Sequence, residues 1–252
     1  MLLLFGAFTF QPESAGWLRE QKSGYAFYYT AADKPRVSEY NKLIESGFKS
    51  VREFFGKPYK TEFSIFTHPN RHSLDSTWQK DWGMPDFKSE CWMVASGVAT
   101  KLDLISPAAW DKESCEHKYS NKEETQKLIT HELVHVYHGQ HNQSPDFSDI
   151  TGIDWLAEGL ATYASGQCDA ARMARVKEAL IANTTPNKLD DFWKGQLRYG
   201  FSGSMVMFVD QHYGREKLLA LLPYNRVDDV LKSLGTNEAE LLKGWKQFML
   251  EK

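Results

Sequence analysis

Apolar positions recur along the chain with two periods, and the change of period divides it. Over residues 37–55 they fall at Val37, Tyr40, Leu43, Ile44, Phe48, Val51, Phe54 and Phe55, which is one face of a helix, and Gly56 follows as a stop. Before this, residues 24–30 (GYAFYYT) are aromatic and β-prone, and Asp33-Lys34-Pro35 predicts a cap followed by an early-helix proline. Residues 61–67 (TEFSIFT) alternate as a strand, and Asn70 predicts the cap of a helix that carries Leu74 and Trp78 and ends near Gly83. In residues 97–106 (GVATKLDLIS), Val98, Thr100, Leu102 and Leu104 share one face, which predicts a strand over 98–105. The pattern is then irregular until Ser120-Asn121-Lys122-Glu123, a capping box that opens another helix.

Beyond residue 140 strand signals almost vanish. Residues 154–165, 170–182, 198–213, 215–222, 227–234 and 238–251 read as helices, with stops that include Gly166, Pro186, Gly214, Pro223 and Gly235. The expectation is an α+β fold. A small mixed sheet with helices occupies residues 1–140, an all-helical half occupies 141–252, and the helix that carries the candidate metal ligands lies at the seam. The two halves are expected to form one catalytic unit.

Composition narrows the class. A chain of 252 residues with 42% hydrophobic and 25% charged residues has the make-up of a globular protein. A net charge of −3 with scattered lysines leaves no footprint for nucleic acid. The aromatic fraction of 13%, with eight tryptophans, fits a well-filled core and an aromatic-lined cleft. No run reaches the ~18 apolar residues of a membrane span. Residues 1–10 (MLLLFGAFTF) have the apolarity of an export signal but no preceding Lys or Arg and no clean small-x-small site. They read either as a short signal or as a buried first strand. Cys91, Cys115 and Cys168 allow at most one disulfide. Cys91 with Cys115 would close a loop before the seam helix, and three free thiols is the other reading. These features lean toward export.

The candidate chemistry starts at His131-Glu132-Leu133-Val134-His135, an HExxH sequence inside the seam helix. At 3.6 residues per turn the two histidines share a face and Glu132 lies on its flank. Zinc takes neutral imidazoles at about 2.0–2.1 Å, and a helix supplies two of them from positions one turn apart. The glutamate after the first histidine is placed to take a proton from water held by the ion. A second motif, Trp155-Leu156-Ala157-Glu158-Gly159-Leu160-Ala161-Thr162, puts Glu158 on a largely apolar stripe, where a carboxylate costs several kcal/mol unless it is paired or bound to an ion. Two histidines and one carboxylate are the ligand set of a catalytic zinc.

HELVH followed by WLAEGLA resembles the gluzincin metallopeptidases, the group that includes thermolysin, and is most similar to their small peptidase MA-like domains. The resemblance covers roughly residues 98–222. It implies a zincin-like fold and one zinc ion held by His131, His135 and Glu158, with Glu132 as general base in hydrolysis of a peptide or protein substrate. It also implies a tyrosine that stabilises the oxyanion, for which Tyr199 is the candidate and Tyr163 and His212 are alternatives. The interval from His135 to Glu158 is longer than in thermolysin-like members, so an enlarged loop over 139–152 is expected to shape the cleft. No Gly-x-Met-x-Asn element precedes Thr130, so aminopeptidase activity is not carried over and endopeptidase activity is expected. In a competing metzincin pattern His141 would be the third ligand, but Gly139 falls one residue late for that turn. His138 and His141 are instead expected at the surface or in the cleft. The strand over 98–105 is expected to be either the edge that pairs with an extended peptide or an interior strand. The alternative to an enzyme is a zinc-containing binding or structural module on a peptidase fold, which would not need Glu132.

Overall fold

The computed structural model describes residues 16–252, so both readings of residues 1–10 fall outside it. The sheet begins with a hairpin, β1 (Trp17–Lys22) and β2 (Tyr25–Thr30), which turns at Gly24 with φ 92°. The sequence reading missed β1, whose residues WLREQK alternate weakly and lie at the sheet edge. β2 buries Tyr25, Phe27 and Tyr29 against the core. A 3-10 turn, Ala31–Arg36, leads into α1 (Val37–Phe55), which ends as expected at Gly56 with φ 70°. Asp33 is not a cap. Its buried carboxylate accepts from the hydroxyls of Tyr40 and Ser106, tying the turn to residues far along the chain.

β3 (Phe63–His68) pairs parallel with β2, and α2 (Arg71–Asp81) follows with the Asn70 side chain accepting the Ser73 N–H. The single strand expected over 98–105 is a hairpin of two strands, β4 (Ala95–Val98) and β5 (Lys101–Ile105). The sheet order is β1-β2-β3-β5-β4, so β5 is interior, parallel to β3, and β4 is the edge. The turn at Ala99 and Thr100 has no glycine or proline to announce it. It is set from outside the hairpin, by the Ala99 N–H donating to Pro145 O at 3.0 Å and Ser64 N–H donating to Thr100 O at 3.0 Å.

A 3-10 turn and the short α3 (Trp110–Glu113) occupy part of the segment expected to be irregular. The Cys91–Cys115 disulfide ties the approach to β4 to the chain just after α3, and Cys168 is free. The seam helix α4 (Lys122–Gly139) is capped by Asn121, whose side chain accepts the Glu124 N–H, rather than by Ser120. From residue 128 to residue 139 every side of α4 is buried. It packs on α1, on the edge strand β4 and on α5 (Asp154–Ala164). The remaining helices are α6 (Ala170–Ile181), α7 (Arg198–Tyr213), α8 (Arg215–Ala220), α9 (Val227–Leu234) and α10 (Glu238–Glu251). The result is α+β, with a small mixed sheet followed by helices. A second, smaller core gathers Leu74 and Trp78 of α2 with Val94, Ile105, Trp110 and Leu128.

The closest helix pair is α5 on α7. A Cβ added to Gly159 would lie 2.3 Å from Ser202 O, so the two backbones meet where only glycine fits. Glycine to alanine inside a helix ordinarily stabilises by roughly 0.5–1 kcal/mol. Here Gly159→Ala is expected to destabilise by about 1–3 kcal/mol through forced separation of the helices. A urea titration reads the sign, and a midpoint that rises would show that α5 and α7 are not in such contact.

Candidate metal centre

His131 and His135 project from one face of α4, and Glu158 comes to the same point from the second turn of α5. The two Nε2 atoms are 3.1 Å apart, and Glu158 Oε2 lies 3.4 Å from one and 3.5 Å from the other. Donor atoms at ~2.05 Å from a tetrahedral ion are separated by ~3.3 Å. The three donors therefore already have the mutual spacing that a zinc ion requires, and this cluster could hold a metal.

The surroundings favour positive charge at that point. Burial opposes ionisation of Glu158, but the His135 and His131 imidazoles outweigh it and hold the carboxyl well below its usual range. Burial likewise pushes His135 down, and the Glu158 carboxylate more than reverses this. The same field that would hold a proton on His135 suits a divalent cation. Glu132, also buried, behaves in the opposite sense. Burial pushes its carboxyl up, against the pull of the two imidazoles and the Gly97 backbone N–H.

Gly97 belongs to the edge strand, and a Cβ there would lie 2.3 Å from Glu132 O and 3.1 Å from His135 Cβ. The strand can approach α4 this closely only because that position has no side chain. The strand forms one wall of a cleft of about 890 Å³ that reaches all three donors and Glu132. Tyr199, at the start of α7, is another part of the lining, its ring centroid 5.9 Å from that of His131, and burial raises its hydroxyl pKa. The two alternatives are elsewhere. Tyr163 donates to Asp210 Oδ2 at 2.9 Å, and His212 stacks on Phe208 with ring centroids 5.0 Å apart.

The long loop after α4 does shape the cleft, through Asp146, Phe147 and Ile150. Phe147 has φ 58°, a conformation costly for an aromatic residue, and its ring stands 6.0 Å from that of His135. His138 is neither at the surface nor in the cleft. It is fully buried, 5.2 Å from the Phe147 ring, and burial pushes its pKa down to about 3, so it is neutral. His141 is half-buried, stacks on Tyr137 and bonds Tyr137 O at 2.8 Å. Because α4 continues to Gly139, the chain has not turned back in time to bring His141 to the other donors.

One residue of the site had no signal in the sequence. Gln167, in the loop between α5 and α6, places Oε1 2.9 Å from His131 Nδ1. An amide oxygen can only accept, so Nδ1 carries the proton and the Nε2 lone pair is left for an ion.

With this geometry established, the comparisons can be set beside it. The family model for the Peptidase MA superfamily matches residues 118–251, and the chain belongs to that superfamily. No curated protein matches the chain significantly. Among the described residues no helix is long and apolar enough to cross a membrane.

Gln167→Ala should weaken zinc binding by roughly 10–100-fold, the usual cost of losing such a partner, as read by competition against a chromophoric chelator. Affinity equal to that of the wild type would mean that Gln167 does not orient His131.

Proposed function

We propose that this chain is a zinc-dependent peptidase of the gluzincin type that cleaves internal peptide bonds. The observation that carries the reading is the mutual spacing of His131 Nε2, His135 Nε2 and Glu158 Oε2, with a carboxylate of opposite protonation tendency, Glu132, beside them. His131, His135 and Glu158 would hold the ion. When bound, zinc polarises the scissile carbonyl and acidifies the attacking water.

Glu132 accepts the proton from that water as its oxygen attacks the carbonyl carbon. The protonated Glu132 then delivers that proton to the leaving amine as the C–N bond breaks. Tyr199 keeps its hydroxyl proton, because burial raises its pKa, and donates a hydrogen bond to the oxyanion that forms on the former carbonyl oxygen. The edge strand β4, whose outer side pairs with no other described strand, offers backbone hydrogen bonds to an extended substrate along the cleft. A cleft of about 890 Å³, large enough for several residues of a peptide, supports an endopeptidase.

Glu132→Gln is expected to lower kcat for a susceptible peptide by at least ~10³-fold while zinc stoichiometry stays at one. Tyr199→Phe should lower kcat by roughly 10²–10³-fold with KM little changed, the signature of a donor used only in the transition state. Chelator-sensitive cleavage of casein by the wild type, with cut sites read by mass spectrometry, is the primary test. If Glu132→Gln protein cleaves as fast as the wild type, this mechanism is wrong.

A further inference from the structure

The arginines of this protein fall into three groups. Arg19, Arg71 and Arg215 donate side-chain hydrogen bonds to carbonyls, hydroxyls or carboxylates. Arg36, Arg52, Arg175 and Arg226 are exposed and hydrated. Arg172 and Arg198 belong to neither. Both are only partly exposed, and among the described residues neither has a carboxylate within 4 Å; the polar side-chain neighbour of Arg198 is the Tyr199 hydroxyl.

Arg172 sits at the metal cleft, and Arg198, outside the lining itself, packs against three rings that belong to it. Arg172 is part of its lining, with Cζ 5.6 Å from the Tyr199 ring centroid. Arg198 has Cζ 4.2 Å from the ring of Trp92 and 5.3 Å from those of Trp193 and Tyr199, all three of them lining residues. Its Nε is buried without a partner. Stacking on aromatic rings engages the faces of a guanidinium and leaves its N–H edges unused. Leaving those edges partly desolvated and unpaired is costly unless an acceptor arrives from outside. The planar fork matches a carboxylate best.

We propose that Arg172 and Arg198 form a carboxylate-binding subsite, so that the preferred substrate is a peptide carrying a carboxylate close to the scissile bond. The proposal rests on the peptidase reading above and adds the substrate class. Tyr199 touches both His131 and the arginines, which puts the carboxylate within about one to three residues of the cut at ~3.3 Å per residue. The rest of the lining reinforces the choice of place. Lys118 is engaged by Asp111 at 3.3 Å, and Glu116, Glu124, Asp146 and Asp154 make other parts of the cleft repel an anion. The disulfide at Cys91 holds Trp92, and with it the Arg198 stack, at the cleft wall.

The carboxylate could be an Asp or Glu side chain or a free C-terminus, and matched peptides separate the two. One pair differs by Asp or Glu against Asn or Gln on either side of the cut, and the other by a C-terminal acid against the amide. Wild-type enzyme should favour the acid in one pair by roughly 10–100-fold in kcat/KM. Arg172→Ala and Arg198→Ala should each bring that ratio toward one, and Arg198→Lys should restore it only in part, because a lysine has no fork. Equal rates on acid and amide in both pairs would overturn the subsite while leaving the peptidase standing. If no peptide is cut by zinc-loaded protein, the peptidase reading falls. Calorimetric titration of Glu132→Gln protein with the same pairs then decides the subsite, equal affinities overturning it and tighter binding of the acid upholding it.

Discussion

The rest of the structure depends on burying a polar helix face at the centre of the molecule. Twelve consecutive residues of α4, 128–139, are buried, and His131, Glu132, His135 and His138 are among them. A helix buried all round is ordinarily apolar all round, and each polar side chain brought inside must find a partner or change its protonation. α4 uses both routes. His131 bonds Gln167, His135 faces Glu158, and His138 stays neutral. The sheet edge, α1 and α5 enclose the same helix, so the elements that build the core also build the site.

Enclosure separates two carboxylates that are alike in sequence. Glu132 is buried and Glu158 half-buried at the same pair of imidazoles, yet one is pushed up and the other held down. The difference is contact. Glu158 touches both imidazole nitrogens, whereas Glu132 interacts with them only through space while losing its water. One carboxyl held down beside another pushed up puts two acids of different proton affinity at one point.

Much of this was readable from residue order. The helices after residue 140 are bounded by glycines and prolines, and α7, α9 and α10 begin and end where those signals place them. The donor set was readable too, because His131 and His135 obey helical spacing and Glu158 is an acid on an apolar stripe. What escaped depends on partners distant in the chain. The β4–β5 turn is set by Pro145 and Ser64, not by turn residues of its own. β1 has too little alternation to stand out, since an edge strand buries little. His138 looked like a surface residue because the loop that covers it, with Phe147 at φ 58°, could not be placed from sequence. Gln167 lies 36 positions from the histidine it holds, and nothing local marks it.

The precision of the donor set has its origin outside the motif. Metal–ligand distances tolerate only about ±0.2 Å, yet Glu158 reaches α4 from a separate helix across a long loop. Gly159, the next residue, lets α7 close to backbone contact on the far side of α5. α7 therefore fixes the position of α5, and with it the Glu158 carboxylate, although α7 contributes no donor to the cluster. At its first turn the same helix presents Arg198 and Tyr199. One helix–helix contact thus sets the Glu158 carboxylate from α5 and aims Tyr199 of α7 at the same cluster, through a single rigid pair.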